Sequence, residues 1–382
     1  MTSLIQHKRV EFTELFYDLV FVYAISKTTG LIHHLQGGVL APLAFVTFLT
    51  CLLVLVNTWM LQTMFTNRYG RNSLFNMMVM FADMGLLMLL SNMFTLHWQS
   101  NFYFFAWVLG ILSFTLFLQY WVQYRQPSRN PEDKEMIKGF FYILGTRTGG
   151  VFLSALLPYD IAIWVYFSAI LISFVMPLFF SKKMNQVPIN FPHLVERISL
   201  LVIITFGEMI MGVANFFTPA TFSINSVCYL LIVVFLFLFY FGEFDHALDE
   251  SKKTLGMRLI YSHYLIFTGI LMMTVSLSFL AEHEVNHWFA VGFLYTGVFL
   301  FLIAVLLNGS YNKPAYQWTR DYLVKTAVLF VMGLILSLAF AASSHMVVYI
   351  TTAVIFLIWL TFIRFYLRQH KASQDPHEIY FI

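Results

Sequence analysis

Charge is scarce in this sequence. Asp, Glu, Lys and Arg together make up 11% of its 382 residues. A water-soluble domain carries roughly a quarter of its residues as these four types, so this chain cannot cover a water-facing surface. The same scarcity excludes intrinsic disorder, which needs low hydrophobicity and high charge. Cysteine is rarer still. Cys51 and Cys228 are the only two, each inside an apolar run. They build neither a disulfide framework nor a zinc signature, and both read as small apolar side chains. No Walker A, G-x-S-x-G or G-x-G-x-x-G motif is present, and no cofactor is implied. Gaps between apolar runs are too short for a soluble nucleotide-binding domain, which argues against an ATP-driven pump. The net charge of +3 is too small to argue for nucleic acid as a partner.

Apolar and aromatic residues fill the chain instead. They make up 59% and 19% of it, with 43 Phe, and the partner they call for is a lipid bilayer. A hydrocarbon core ~30 Å thick needs about 20 apolar residues as a helix. Twelve such runs lie near 11–35, 40–65, 73–94, 102–124, 136–157, 160–180, 194–216, 222–243, 256–280, 288–308, 320–342 and 345–367. Barrel strands would alternate in polarity over about 10 residues, and Tyr229–Phe241 does not alternate. The expected fold is therefore all-α, a polytopic transmembrane helical bundle of about 12 spans. The first span is interrupted by Glu11, Glu14 and Asp18, so it reads as a retained helix rather than a cleaved signal. Whether the chain forms a homo-oligomer is left open.

Lys and Arg set the orientation. One set of segments, from Lys8 and Arg9 through Arg68, Arg125, Lys182 and Lys252 to Arg368 and Lys371, holds 18 of the 22 basic residues. The alternate loops, near 36–39, 95–101, 158–159, 217–221, 281–287 and 343–344, hold none. This alternation places both termini in the cytoplasm and the chain in a cytoplasmic (inner) membrane.

The two halves also resemble each other at an offset of about 184–185 residues, with Glu11 on Glu196 and Phe105-Ala106 on Phe289-Ala290. An even number of spans per half gives both the same orientation. The expectation is a parallel duplication of six spans, 1–186 and 187–382, within one membrane domain.

Ionisable residues within spans are costly and mark function. Glu11, Glu14 and Asp18 are spaced by three and four, which stacks them on one face of the first helix. They read as an acidic stripe for a proton or cation, or as interface carboxylates favoured by the helix dipole. Asp83 and Arg147 lie at similar depth in the third and fifth spans, where an ion pair is geometrically open. Arg147 sits in Leu144-Gly145-Thr146-Arg147-Thr148-Gly149-Gly150, which suits either an unwound cavity-lining segment or tight helix packing. In the seventh span, Glu196-Arg197 precedes Glu208, and Arg197 and Glu208 are ~16 Å apart along the axis, too far to pair. Glu208 reads as a coupling site without a permanent cation, or as a partner of Arg147 or Lys325. Glu243, Asp245 and His246 read as a solvated helix end. His283-Glu284-Val285-Asn286-His287 matches H-E-x-x-H, but it falls in a short outer loop rather than on a protected helix face. It carries no zinc site.

Three motifs carry a family resemblance. The run Glu14-Leu15-Phe16-Tyr17-Asp18-Leu19-Val20-Phe21-Val22 resembles the E-L-F-[FY]-D-L-V-F-V opening of the bacterial low temperature requirement protein A family, LtrA. Glu196-Arg197, Leu200 to Ile204 and Gly207-Glu208 resemble its E-R-x-x-L-x-x-I-x-x-x-G-E segment. Trp59 to Tyr69, with Thr63, Asn67 and Arg68, is similar to its W…T…N-R-[FY] segment. The resemblance implies a multi-pass membrane protein named for a requirement in cold growth, and it names no substrate.

The functional expectation is a secondary transporter-like carrier of a small solute or ion. Coupling would run through Asp18 and Glu208, assisted by Glu14 and Asp83, with Arg147 as counter-charge or anion contact. The alternatives are a membrane-embedded enzyme or lipid-handling protein using the same acids, and a structural or regulatory membrane protein. A reporter fused after Gln99 is expected to face the periplasm or exterior, and one fused after Lys183 the cytoplasm. The reverse pattern in a reporter assay would contradict the twelve-span reading.

Overall fold

A computed structural model describes residues 8–184, 187, 189–282 and 284–373. Among these it has twelve α-helices, ten of them long and apolar enough to cross a membrane. In chain order they are α1 (Phe12–Gly30), α2 (Pro42–Tyr69), α3 (Leu74–Asn92), α4 (Trp98–Arg125), α5 (Pro131–Ser154), α6 (Tyr159–Met184), α7 (Phe191–Ala214), α8 (Ile224–Phe241), α9 (Met257–Phe279), α10 (His287–Leu307), α11 (Arg320–Ala339) and α12 (Ser344–Ser373). A two-stranded hairpin, β1 (Leu35–Gln36) and β2 (Val39–Leu40), joins α1 to α2. The two helices outside the apolar set are α1, which carries Glu14, Asp18 and Lys27, and α5, whose first turns hold Glu132, Asp133, Lys134 and Glu135.

Local sequence sets the helix ends. Pro at the first helical position opens α2 and α5, where its missing N–H costs nothing. Side-chain oxygens of Ser73, Asn130, Asn286 and Thr319 accept backbone N–H groups at the starts of α3, α5, α10 and α11. Ser223 and Ser226 close a reciprocal capping box on α8.

The chain divides into two compact units. The first holds residues up to His34, Leu40–Ile204 and Ser251–Ile260; the second holds Leu35–Val39, Thr205–Glu250 and Tyr261 onward. In the first unit α2 is the central helix. Every residue from Val54 to Asn67 is buried, yet Asn57, Thr58, Gln62, Thr63, Thr66 and Asn67 are polar. A helix buried all round belongs at a core, and these polar groups need partners there. By contrast α6 turns Trp164 (72% exposed) and Phe179 (81%) outward, as suits lipid contact.

In the second unit α9 is the most enclosed helix, with 83% of its apolar window buried. It approaches α10 backbone to backbone through two glycines. A Cβ on Gly269 would lie 2.6 Å from the Gly297 carbonyl oxygen and 2.9 Å from the Phe301 nitrogen. Only glycine permits that separation. Gly212 of α7 faces α9 as well, where an added Cβ would meet Thr274 at 3.2 Å. Gly269→Ala is expected to force α9 and α10 apart and cost about 1–3 kcal/mol of stability. Gly292→Ala on α10, where nothing lies within 4 Å of the added Cβ, serves as the neutral control. Equal melting temperatures for both variants in detergent would contradict this packing.

Candidate functional site

The helical repeat places residues four apart on one face, and three helices of the first unit each present such a stripe. Glu14 and Asp18 come from α1, both 2% exposed. Trp59, Thr63 and Asn67 come from α2. His193 and Arg197 come from α7, both fully buried. The stripes mesh. Arg197 Nη2 donates to Asp18 Oδ1 at 3.0 Å and to Thr63 Oγ1 at 3.4 Å, while its Nη1 lies 3.8 Å from Glu14 Oε2. Trp59 Nε1 donates to the same Asp18 oxygen at 2.7 Å, and its ring stacks 5.2 Å from the Arg197 guanidinium carbon. His193 Nε2 lies 3.1 Å from Glu14 Oε2.

Hydrogen-bond accounting fixes the state of His193. Asn67 Oδ1 accepts the Asn190 N–H at 2.9 Å, and its Nδ2 donates to the Asn190 carbonyl at 2.8 Å. With its amide so oriented, Asn67 Nδ2 also donates to His193 Nδ1 at 3.1 Å. Nδ1 is therefore the acceptor, and the proton of the neutral ring is on Nε2, donated to Glu14. Two carboxylates then face one guanidinium and one neutral imidazole, and the cluster carries one excess negative charge. Arg197 Nε and Nη1 and Asp18 Oδ2 have no hydrogen-bond partner among the described residues. The nearest further cation is Lys8, ahead of α1. Its Nζ donates to the Thr66 and Gly70 carbonyls. Burial lowers its ammonium pKa, and the attraction of Glu14 and Glu11 raises it in part. A narrow cleft lined by Glu11, Thr13, Glu14, Arg71, Asn72 and Gln119 reaches Glu14.

The other candidates fall in different places. Glu11 accepts a hydrogen bond from Asn72 at 2.8 Å. Asp83 and Arg147 are buried, but no ion pair joins them among the described residues. Asp83 accepts from Thr115 Oγ1 at 2.8 Å, and Arg147 turns to α2, donating to Asn57 at 2.7 Å and Thr58 at 2.5 Å. The Asp83–Arg147 pair that their similar depth left open is thus replaced by three bonds to neutral partners. Arg147 does not sit in an unwound stretch either, because α5 is continuous from Pro131 to Ser154. The glycines there serve packing, and a Cβ on Gly150 would strike Ala169 at 2.4 Å. Glu196 and Glu208 are half-buried on α7, Glu208 in the second unit. Lys325 pairs with Asp321 at 2.6 Å, both exposed. Asp18, by contrast, has a permanent cation beside it, because Arg197 reaches it from another helix. His283 of the H-E-x-x-H match lies outside the described residues.

A model of the bacterial low temperature requirement A protein (LtrA) family matches residues 9–361. The chain belongs to this family. No curated protein and no solved structure matches it. The three sequence motifs that resemble LtrA, separated by up to 183 positions along the chain, meet in the one cluster: Glu14 and Asp18 from the first, Trp59, Thr63 and Asn67 from the third, Arg197 from the second. His193 escaped the sequence reading. The available signal was its spacing of four from Arg197, the same as Glu14 to Asp18.

Arg197→Gln is expected to strand two buried carboxylates and lower stability by about 3–5 kcal/mol. Trp59→Phe, which removes one bond to a charged acceptor, should cost about 1.5–3 kcal/mol. Thermal or denaturant melts in detergent check both, and an Arg197→Gln variant as stable as the parent would contradict the pairing.

Proposed function

We propose that this LtrA-family membrane protein is a secondary carrier of a small solute or ion, with proton or cation coupling through buried carboxylates. The observation that carries the reading is a shared counter-charge: Glu14 and Asp18 divide the one guanidinium of Arg197 between them. A cation or proton arriving at Glu14 would satisfy that carboxylate and let Arg197 commit wholly to Asp18. Such a change of partners is a switch between two charge arrangements, which alternating access requires. Glu14 has the cleft on one side and the His193 imidazole on the other, so a charge can reach it through polar groups. Glu208 remains a proposed coupling residue of the second unit, Asp83 a proposed helper, and Arg147 a proposed counter-charge or anion contact beside Asn57 and Thr58. The proposed setting is an inner membrane with both termini cytoplasmic, and the six-plus-six duplication is part of the same proposal.

A second reading, a structural or regulatory protein, is favoured by one observation. Asp18 is held by both Arg197 and Trp59, as a fixed brace would be. Flux and stability separate the two. Under the carrier reading, Glu14→Gln and Glu208→Gln keep expression and melting temperature but abolish the pH dependence of solute or ion flux in proteoliposomes. Loss of folding in both variants, or full pH-dependent flux in both, would contradict it.

A further inference from the structure

A second buried acid lies in the second unit. The sequence reading left Glu243 at a solvated helix end, but the structure places it in the interior. After Phe241 the helix α8 does not stop; it widens into a π-helical turn, Gly242–Ala247, closed by the Leu248 N–H donating to the Glu243 carbonyl at 3.0 Å. Gly242 makes the turn's approach to α12, since a Cβ there would lie 2.4 Å from the Phe362 ring. One extra residue per turn rotates the side chains that follow, and such turns recur at functional sites. Beyond the turn, the segment at 247–249 pairs with the one at 311–313 through Lys313 N–H to Ala247 carbonyl and Asp249 N–H to Tyr311 carbonyl bonds, both 2.9 Å. That pairing sets Asn312 under the carboxylate.

Glu243 is fully buried. Asn312 Nδ2 donates to its Oε2 at 3.3 Å and to the Tyr316 carbonyl at 3.1 Å. Its Oε1 has no hydrogen-bond partner among the described residues, and no Lys, Arg or His of those residues comes within ion-pair distance of it. The titratable and charged groups around it are occupied elsewhere or neutral. On its own turn Asp245 and His246 pair with each other at 3.4 Å. The hydroxyl of Tyr240 lies 3.0 Å from His263 Nε2 of α9, and that of Tyr316 lies 3.0 Å from His370 Nδ1 of α12. Tyr322 of α11 is within electrostatic reach, and Lys313 interacts with His246. A bare carboxylate held this way, with one amide donor and no cation, is not a stable arrangement in a water-poor interior. In the first unit Arg197 answers Glu14 and Asp18; this site has no built-in counterpart.

We propose that Glu243 is a binding site for one small monovalent cation, a proton or Na⁺, taken at Oε1 and held opposite the Asn312 amide. The site is independent of the Glu14–Arg197 cluster and does not rest on the carrier reading. The test uses the full chain purified in detergent. Infrared difference spectra against Glu243→Gln report whether a protonated carboxyl band is present near neutral pH, and melting temperature is followed in NaCl against choline chloride at equal ionic strength. Either a protonated band lost in Glu243→Gln, or a Na⁺-specific rise in melting temperature lost in Glu243→Gln, supports the site, and the two results identify which cation fills it. An ionised carboxylate band with no Na⁺ response overturns it. If Glu243→Gln fails to fold, Asn312→Ala in the same measurements must shift the band or the Na⁺ response, and an unchanged result overturns the proposal.

Discussion

A charge inside an apolar medium has to be balanced where it lies, because no water is there to solvate it. In the first unit that constraint fixes the arrangement of three helices. The first helix is too charged to qualify as an apolar span, with two carboxylates facing inward. It is accommodated because α7 brings a guanidinium and an imidazole to the same height, and α2 supplies an indole, a hydroxyl and an amide. Each of the three stripes has the same four-residue spacing, so the match is a register. A shift of α1 by one turn would put Glu14 where Asp18 belongs and leave an acid without its donor. The polar residues of α2, buried on every side from Val54 to Asn67, are accounted for by these partners, by Arg147, which engages Asn57 and Thr58, and by Gln119, which accepts from Gln62.

The two clusters handle their acids differently. In the first unit Glu14 and Asp18 share a fixed cation and leave one negative charge over. The second holds Glu243 in a π-helical turn with an amide donor and no fixed cation. A permanent counter-charge favours a lasting geometry. A carboxylate without one must take its positive charge from outside, and its state then depends on what the surroundings supply. The family name, tied to growth in the cold, neither demands nor forbids either behaviour; the chemistry of the sites carries the argument.

Much of the fold was legible in the sequence. Composition named the bilayer and run lengths named twelve helices; of the three acids spaced by three and four, Glu14 and Asp18 are buried on one face of α1, while Glu11 lies ahead of the helix and bonds to Asn72. The motifs resembling LtrA pointed to the residues that do come together. What spacing along one helix cannot give is the partner on another. Arg197 looked unpaired because Glu208 is too far along α7, and its carboxylates lie 179 and 183 positions away in the chain. Depth alone suggested an Asp83–Arg147 pair, yet each found a closer neutral partner. His193 was passed over because a lone histidine in an apolar run carries no motif, and Glu243 because three polar residues, Glu243, Asp245 and His246, at the end of an apolar run look like the end of a helix. A π-helical turn is invisible to apolar periodicity, which assumes that the helix stops or continues unchanged.

The interlock of α1 with α7 is tested most directly by a double-mutant cycle on Asp18→Asn and Arg197→Gln, read as unfolding free energy in detergent. If the guanidinium and the carboxylate compensate each other, the double variant should be less destabilised than the sum of the two single variants, with a coupling energy of about 0.5–3 kcal/mol. Additivity to within about 0.3–0.5 kcal/mol would contradict the account, because it would mean that the two charges are balanced by something other than each other.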